Sequence, residues 1–266
     1  MAGEKKTRKT WKEVKRVRNK RYNMTTKRNG KTEARGHIDM KAQGTGAELY
    51  LYGDIVDDEL TAAYFGGTCP QEIADFFAGL NPTTPLTIYF NSPGGDVFAG
   101  LAIHSIVKRH TGHKTGQVDG MAASIASVIL MGCDEIVVNT GAQVMVHDPW
   151  TCAAGNSRDL RAVADDLDNA KESLLDVYMG KTRDGVTRET VADLMSAETW
   201  LRGEQAAKYF VLDTKEAPAV AAAASTMFGS YKNLPKELKA ERDKKETDAE
   251  LAKALLDDLY LYGTVE

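Results

Sequence analysis

Three short stretches hold residue types suited to breaking an acyl bond. Ser124 ends Gly120-Met121-Ala122-Ala123-Ser124. His147 lies in Gln143-Val144-Met145-Val146-His147-Asp148-Pro149. Ser92-Pro93-Gly94-Gly95-Asp96 follows the apolar run Leu86–Asn91. A serine route to peptide hydrolysis needs a hydroxyl, a base for its proton, a group that orients the base, and donors for the oxyanion. Ser124 offers the hydroxyl and His147 the base. Two glycines after a strand allow a tight turn with exposed N–H groups, so the N–H of Asp96 or Gly95 is a candidate donor. The N–H of Ile125, at the start of an apolar helix, is another. Each stretch also has a structural alternative. Ser124 could cap a helix, His147 could bond to backbone, and the glycines could simply turn the chain. The motif around Ser124 is not the G-x-S-x-G elbow, and the glycine turn is not a phosphate loop.

The elements that must position these residues follow from the hydrophobic pattern. Alternation in Glu48–Ile55 predicts a strand, and Leu86–Asn91 reads as a buried one. Thr115–Val118, Glu135–Asn139 and Gln143–Val146 are further strands. Helical spacing marks Pro70–Leu80, Val97–Arg109 and Ile125–Met131. It also marks a long helix over Ser157–Thr182 and shorter ones over Arg188–Met195 and Gly203–Tyr209. The alternation of strand and helix predicts an α/β fold with a largely parallel sheet. Such a sheet gathers its chemistry beyond the carboxyl ends of its strands, where Ser124 and His147 would both lie.

The chain has 266 residues, 42% hydrophobic and 27% charged, enough for one sizeable core. No run of about 18 apolar residues is present, so no membrane span is expected. The basic start lacks the apolar stretch of a secretory signal. Cys69, Cys133 and Cys152 have no metal-ligand spacing and suggest no disulfide framework, so a cytoplasmic setting is expected. No metal or organic cofactor is implied. Residues 1–36 carry 14 Lys and Arg against three acids (Glu4, Glu13, Glu33), a net +11. The rest of a chain of net −4 therefore carries −15. Residues 1–47 read as a basic, flexible arm with an anionic partner, or as a solvated tail. Residues 48–213 form the folded body. Residues 214–266 read as an Ala-rich linker and a charged helix from Pro235. The last turns of that helix (Leu251, Leu255, Leu256, Leu259, Tyr260) could dock on another surface.

The three stretches, in this order and at these spacings, resemble the signature motifs of the Clp protease proteolytic-subunit family. The resemblance spans about Glu48 to Asp213. Ser196-Ala197-Glu198-Thr199-Trp200 and Gly203-Glu204-Gln205-Ala206-Ala207-Lys208-Tyr209 are similar to the phage and prophage branch, whose members act in head maturation. The resemblance implies the Clp/crotonase superfamily fold of repeated β-β-α units. It also implies homo-oligomeric rings, often heptameric and stacked, and a polypeptide substrate, here capsid or scaffold protein. It makes Ser124 the nucleophile and His147 the base, with Gly95, Asp96 and Ile125 around the oxyanion. For the third member of the triad, ungapped matching lands on Leu194. Asp193 beside it is the first candidate and Glu198 the second. Family rings commonly pair with an unfoldase ATPase, and this sequence carries no P-loop. Two alternatives stay open on the same fold: an acyl-CoA enzyme of the crotonase type, and an inactive capsid-assembly protein.

Overall fold

The computed structural model describes residues 21–28, 31–39, 41–43, 46–216, 226–236 and 238. Most of the basic arm's charge, the Ala-rich stretch and the charged helix beyond Leu238 fall outside these residues, as do the apolar positions near the C-terminus. Within residues 1–47, β1 (Arg21–Arg28) and β2 (Lys31–Asp39) form an antiparallel hairpin. The short β3 (Lys41–Gln43) pairs antiparallel with β4 (Gly46–Ile55).

The sheet grows from strands whose alternate residues are buried. In β4, Leu49, Leu51 and Ile55 point into the core while Tyr50 and Tyr52 stay half-buried on the other face. β5 (Leu86–Gly95) lies parallel to it with Leu49 opposite Ile88 and Leu51 opposite Phe90. A parallel pair needs a crossover. Here it contains α1 (Glu59–Phe65) and α2 (Pro70–Ala78). Pro70 opens α2, where its missing N–H costs nothing, and the Glu72 carboxylate accepts the Cys69 N–H at 3.2 Å. α3 (Val97–Arg109) buries Ala99, Ile103 and Val107, then leads to β6 (Lys114–Ala123), parallel to β5. α4 (Ile125–Leu130) is buried along its whole length. β7 (Glu135–Asn139), β8 (Gln143–Val146), α5 (Ser157–Met179), α6 (Arg188–Ser196), β9 (Thr199–Arg202), α7 (Gly203–Ala206) and β10 (Asp213–Lys215) follow.

The strand order is β10-β7-β6-β5-β4-β3, parallel from β10 to β4. The mixed, largely parallel α/β expectation holds. β6 changes partner along its length. Thr115–Val118 pair with β7, whereas Met121–Ala123 pair with β8. β8 in turn pairs antiparallel with β9, a strand the hydrophobic pattern did not reveal because only Leu201 of its four residues is buried. Two strands also run further than expected. β5 continues through Ser92-Pro93-Gly94-Gly95 because Gly94 (φ 101°) and Gly95 (φ 149°) keep pairing with Asp54 and Ile55 in backbone conformations that L side chains rarely adopt. β6 continues through Gly120 because β8, not β7, receives its second half. α7 stops at Ala206, short of the expected Tyr209.

Candidate active site

The split of β6 between two neighbours places the catalytic candidates. Ala123 and Met145 are in register on β6 and β8, and the Ser124 N–H donates to the Met145 carbonyl at 3.0 Å. The strands run parallel, so both end at the same edge. Ser124 is the first residue beyond β6 and His147 the first beyond β8. Ser124 Oγ lies 2.6 Å from His147 Nε2. Ser124 occupies the cap position of α4, yet its side chain makes no capping bond. The hydroxyl faces the imidazole instead.

Ser124 holds a strained backbone, φ 55° and ψ −131°, where a non-glycine residue costs on the order of 1–3 kcal/mol. Its neighbours fix it there. The Ser124 carbonyl accepts the Ser127 N–H at 2.9 Å and the Ser127 hydroxyl at 2.6 Å. The buried Tyr178 hydroxyl, 2.7 Å away, satisfies Ser127 Oγ in turn. This turn between strand and helix pushes the Ser124 side chain out over the sheet edge while leaving the residue only 9% exposed.

Burial holds the His147 imidazole below its ordinary pKa. The negative charges of Glu198 and, less so, Asp148 act in the opposite direction. Burial is the larger effect, so the ring is biased towards its neutral, proton-accepting form. The loop after β8 is latched to two helices. The Asp148 N–H donates to the Met195 carbonyl at 3.1 Å, and the Asp148 carboxylate meets Lys171 Nζ at 2.9 Å and the Ser196 hydroxyl at 2.9 Å.

Of the two carboxylates considered for the third position, the structure brings Glu198 to the site and not Asp193. Asp193 lies on the exposed face of α6, and the charges that act on His147 are those of Glu198 and Asp148. Glu198 is 8% exposed and takes a left-handed backbone, φ 49°, between α6 and β9. That reversal turns its side chain inward. Its oxygens accept the backbone N–H groups of Lys232 at 2.9 Å and Asn233 at 2.6 Å.

The glycine turn closes against Ser124. A Cβ on Gly94 would stand 2.7 Å from Ser124 Cβ and 2.8 Å from the Ala123 carbonyl. Only glycine allows that approach. Asp96 departs from expectation, because its N–H donates to the Ile55 carbonyl at 2.9 Å and is spent in the sheet. The Asp96 carboxylate accepts the Ala99 N–H at 2.7 Å and caps α3. Gly95 and Ile125 line the cavity beside Ser124.

That cavity has a volume of about 680 Å³. Ser124, His147 and Gly95 border it. Phe98, Trp150 and the α5 side chains Val163, Leu167 and Leu174 supply an apolar wall. Sequence reasoning missed one further residue at the site. Tyr231, far along the chain, sets its ring edge-on to His147 at 5.5 Å between centroids.

A serine hydroxyl against a buried imidazole, at the carboxyl edge of a parallel sheet and beside a glycine turn, defines a hydrolase-type site of nucleophile and base. The comparisons with known proteins agree with that class. The chain belongs to the Clp protease family, whose model, described as Clp protease, matches residues 73–214. It is 28% identical over 174 residues to an ATP-dependent Clp protease proteolytic subunit from Nephroselmis olivacea, covering 65% of this chain and 80% of that one. It is 31% identical over 137 residues to ATP-dependent Clp protease proteolytic subunit 1 from Chlamydia abortus, covering 50% of this chain and 70% of the relative. An ATP-dependent Clp protease proteolytic subunit from Deinococcus radiodurans is 30% identical over 135 residues, covering 50% of this chain and 65% of the relative. Among the described residues, no helix is long and apolar enough to cross a membrane.

Proposed function

We propose that this chain is a serine endopeptidase that cleaves polypeptides without hydrolysing ATP itself. The single observation that carries the reading is the 2.6 Å approach of Ser124 Oγ to His147 Nε2. His147 Nε2 takes the hydroxyl proton as Oγ bonds to the scissile carbonyl carbon. The carbonyl electron pair moves to oxygen, where the N–H groups of Gly95 and Ile125 receive the charge. His147 then gives the proton to the leaving amine. Water repeats the sequence on the acyl-enzyme and frees Ser124. Glu198, rather than Asp193, is the carboxylate that favours the imidazolium formed on the way. The apolar wall of the cavity fits an apolar side chain of the substrate beside the cleaved bond.

Two results follow from these roles. Glu198→Gln is expected to lower kcat by about 10- to 100-fold, and Asp193→Asn to leave it within about twofold, because a carboxylate contributes only where its charge reaches the ring. Steady-state cleavage of a fluorogenic peptide checks both, and a larger loss in Asp193→Asn would restore that residue to the triad. The pH profile is the second result. A base must be neutral to act, and burial lowers the His147 pKa. The acid limb of kcat/KM is therefore expected to have its midpoint below about 6.5, the ordinary histidine value. A midpoint above that value would mean that the charges of Glu198 and Asp148 outweigh burial.

The finer assignment is head maturation in a phage or prophage, with capsid or scaffold protein as substrate and a homo-oligomeric ring as the working form. It is supported by the likeness of Ser196–Tyr209 to that branch and by a basic N-terminal stretch suited to an anionic partner. The test is incubation of the purified full chain, without nucleotide, with casein and with co-expressed phage capsid protein. Ser124→Ala serves as the control, and light scattering after size exclusion gives the mass. Cleavage of capsid protein by a particle several times the monomer mass is expected. Cleavage of casein alone would leave a general peptidase. Cleavage of neither, with turnover of an acyl-CoA thioester, would move the chain to the crotonase type.

A further inference from the structure

A segment from Thr226 to Leu238 returns from the C-terminal side and lies along the flank of the active site. Phe228, Tyr231, Leu234 and Leu238 are buried together against Met121 and Ala123 of β6 and Met145 of β8, with Trp200 packed on the cluster. These strands lead directly into Ser124 and His147, so the segment is anchored beside both. Its polar contacts converge on the same place. The Tyr231 hydroxyl donates to the Pro93 carbonyl in the glycine turn. The Tyr231 ring meets His147 edge-on at 5.5 Å and Trp200 at 5.6 Å. The next two residues, Lys232 and Asn233, hold the Glu198 carboxylate with their N–H groups, and the Asn233 side chain donates to the Ala197 carbonyl at 2.7 Å.

A segment lying on an active site either obstructs it or completes it. The location of the cavity separates the two. None of the described residues between 226 and 238 lines it, and its border includes Ser124, His147 and Gly95. Substrate would reach the nucleophile from the flank opposite the segment. The residues that make these contacts lie beyond the stretch the family model matches, 73–214.

We propose that residues 226–238 are a strap that completes the active site, and that Tyr231 is a positioning residue tying the glycine turn to the base. The Tyr231 hydroxyl donates to the Pro93 carbonyl and so holds the glycine turn, while its ring edge packs on the His147 imidazole and fixes the orientation of Nε2 towards Ser124. The glycine turn is held at the same time, so the oxyanion donors and the nucleophile keep one spacing. The Lys232 and Asn233 N–H groups do the same for Glu198. These contacts lie away from the substrate, so their loss acts on the rate of acylation and not on binding.

The inference rests on the serine-peptidase reading, and its test separates the two. Wild type, Ser124→Ala, Tyr231→Phe and Leu238→Ala are compared as full chains, with a fluorogenic peptide for kcat and KM and a fluorophosphonate for the labelling rate. Tyr231→Phe keeps the ring and deletes one hydrogen-bonding group. It is expected to lower kcat and labelling about tenfold at unchanged KM, with the melting temperature lower by only a few degrees because the Pro93 carbonyl loses its donor. Leu238→Ala loosens the strap away from the catalytic residues and is expected to lower kcat in the same direction without raising KM. If wild type labels and cleaves but Tyr231→Phe equals or exceeds it, the positioning role is overturned and the strap is a cover or a brake. If wild type itself neither labels nor cleaves, the peptidase reading falls and the positioning role falls with it.

Discussion

Ser124→Ala is expected to lower kcat for peptide cleavage by at least about 10⁴-fold while leaving the melting temperature within a few degrees of wild type. The size follows from the role proposed for the hydroxyl. In that mechanism Ser124 Oγ is the atom that bonds to the acyl carbon, and no other nucleophile touches His147 Nε2 among the described residues. What survives is the small acceleration from the oxyanion donors and from binding alone. The fold is expected to tolerate the change because the bonds that fix this turn are made by backbone. The Ser124 N–H goes to Met145, and the Ser124 carbonyl accepts from Ser127. Alanine keeps both. It also keeps the unfavourable φ, so the strain stays while the chemistry is lost. A drop of less than about tenfold would show that another residue carries the reaction.

Gly95→Ala is expected to damage stability and activity together. A Cβ there would stand 1.9 Å from the Ile55 carbonyl oxygen and 2.7 Å from its carbon. Both are backbone atoms of β4, so no side-chain rotation relieves the clash. The φ of 149° adds strain of its own. The ladder between the ends of β4 and β5 must open, at a cost of about 3 kcal/mol or more, which lowers the melting temperature by roughly 6–12 °C for a domain of this size. The same displacement moves the Gly95 N–H away from the oxyanion, for a further loss of about 10²-fold or more in kcat at a temperature where the variant is folded. Gly185→Ala is the control. Gly185 also has a positive φ, 85°, but a Cβ there meets nothing within 4 Å. It is expected to cost about 1 kcal/mol and no activity. Calorimetry and steady-state kinetics on the two variants separate a clash at the site from backbone strain in general.

The parts of this site visible in the sequence are those set by short-range pattern. Ser124 and His147 each follow a strand read from its alternation or apolar run, and parallel strands bring their carboxyl ends to one edge. The pairing of the two residues could therefore be anticipated without coordinates. The glycine turn was visible for the same reason. What it does was less so, because two glycines normally signal the end of a strand. Here the ladder runs through them to Ile55 and consumes the Asp96 N–H, which turns Asp96 from a candidate oxyanion donor into a helix cap.

The carboxylate was ambiguous because its placement depends on how a helix ends. Asp193 and Glu198 are five positions apart. One stays on the outer face of α6, and the other is swung inward by a left-handed residue at a junction where no glycine announces the turn. β9 and Tyr231 were illegible for a different reason. β9 buries only Leu201 of its four residues, so it shows neither an alternation nor a buried apolar run. Tyr231 lies 33 residues beyond Glu198 in a stretch that reads as linker, and only tertiary packing of Phe228, Leu234 and Leu238 brings it to the nucleophile. Long-range contacts of this kind leave no periodic trace in a single sequence.

The most direct test of the central claim is to treat the full chain with a fluorophosphonate and map the adduct by peptide mass spectrometry, with His147→Ala in parallel. A Ser nucleophile activated by His147 predicts one adduct, on Ser124, that forms in wild type and is lost or slowed at least about 10³-fold in His147→Ala. No adduct on folded wild type, an adduct on a different serine, or equal labelling with and without His147 would contradict it.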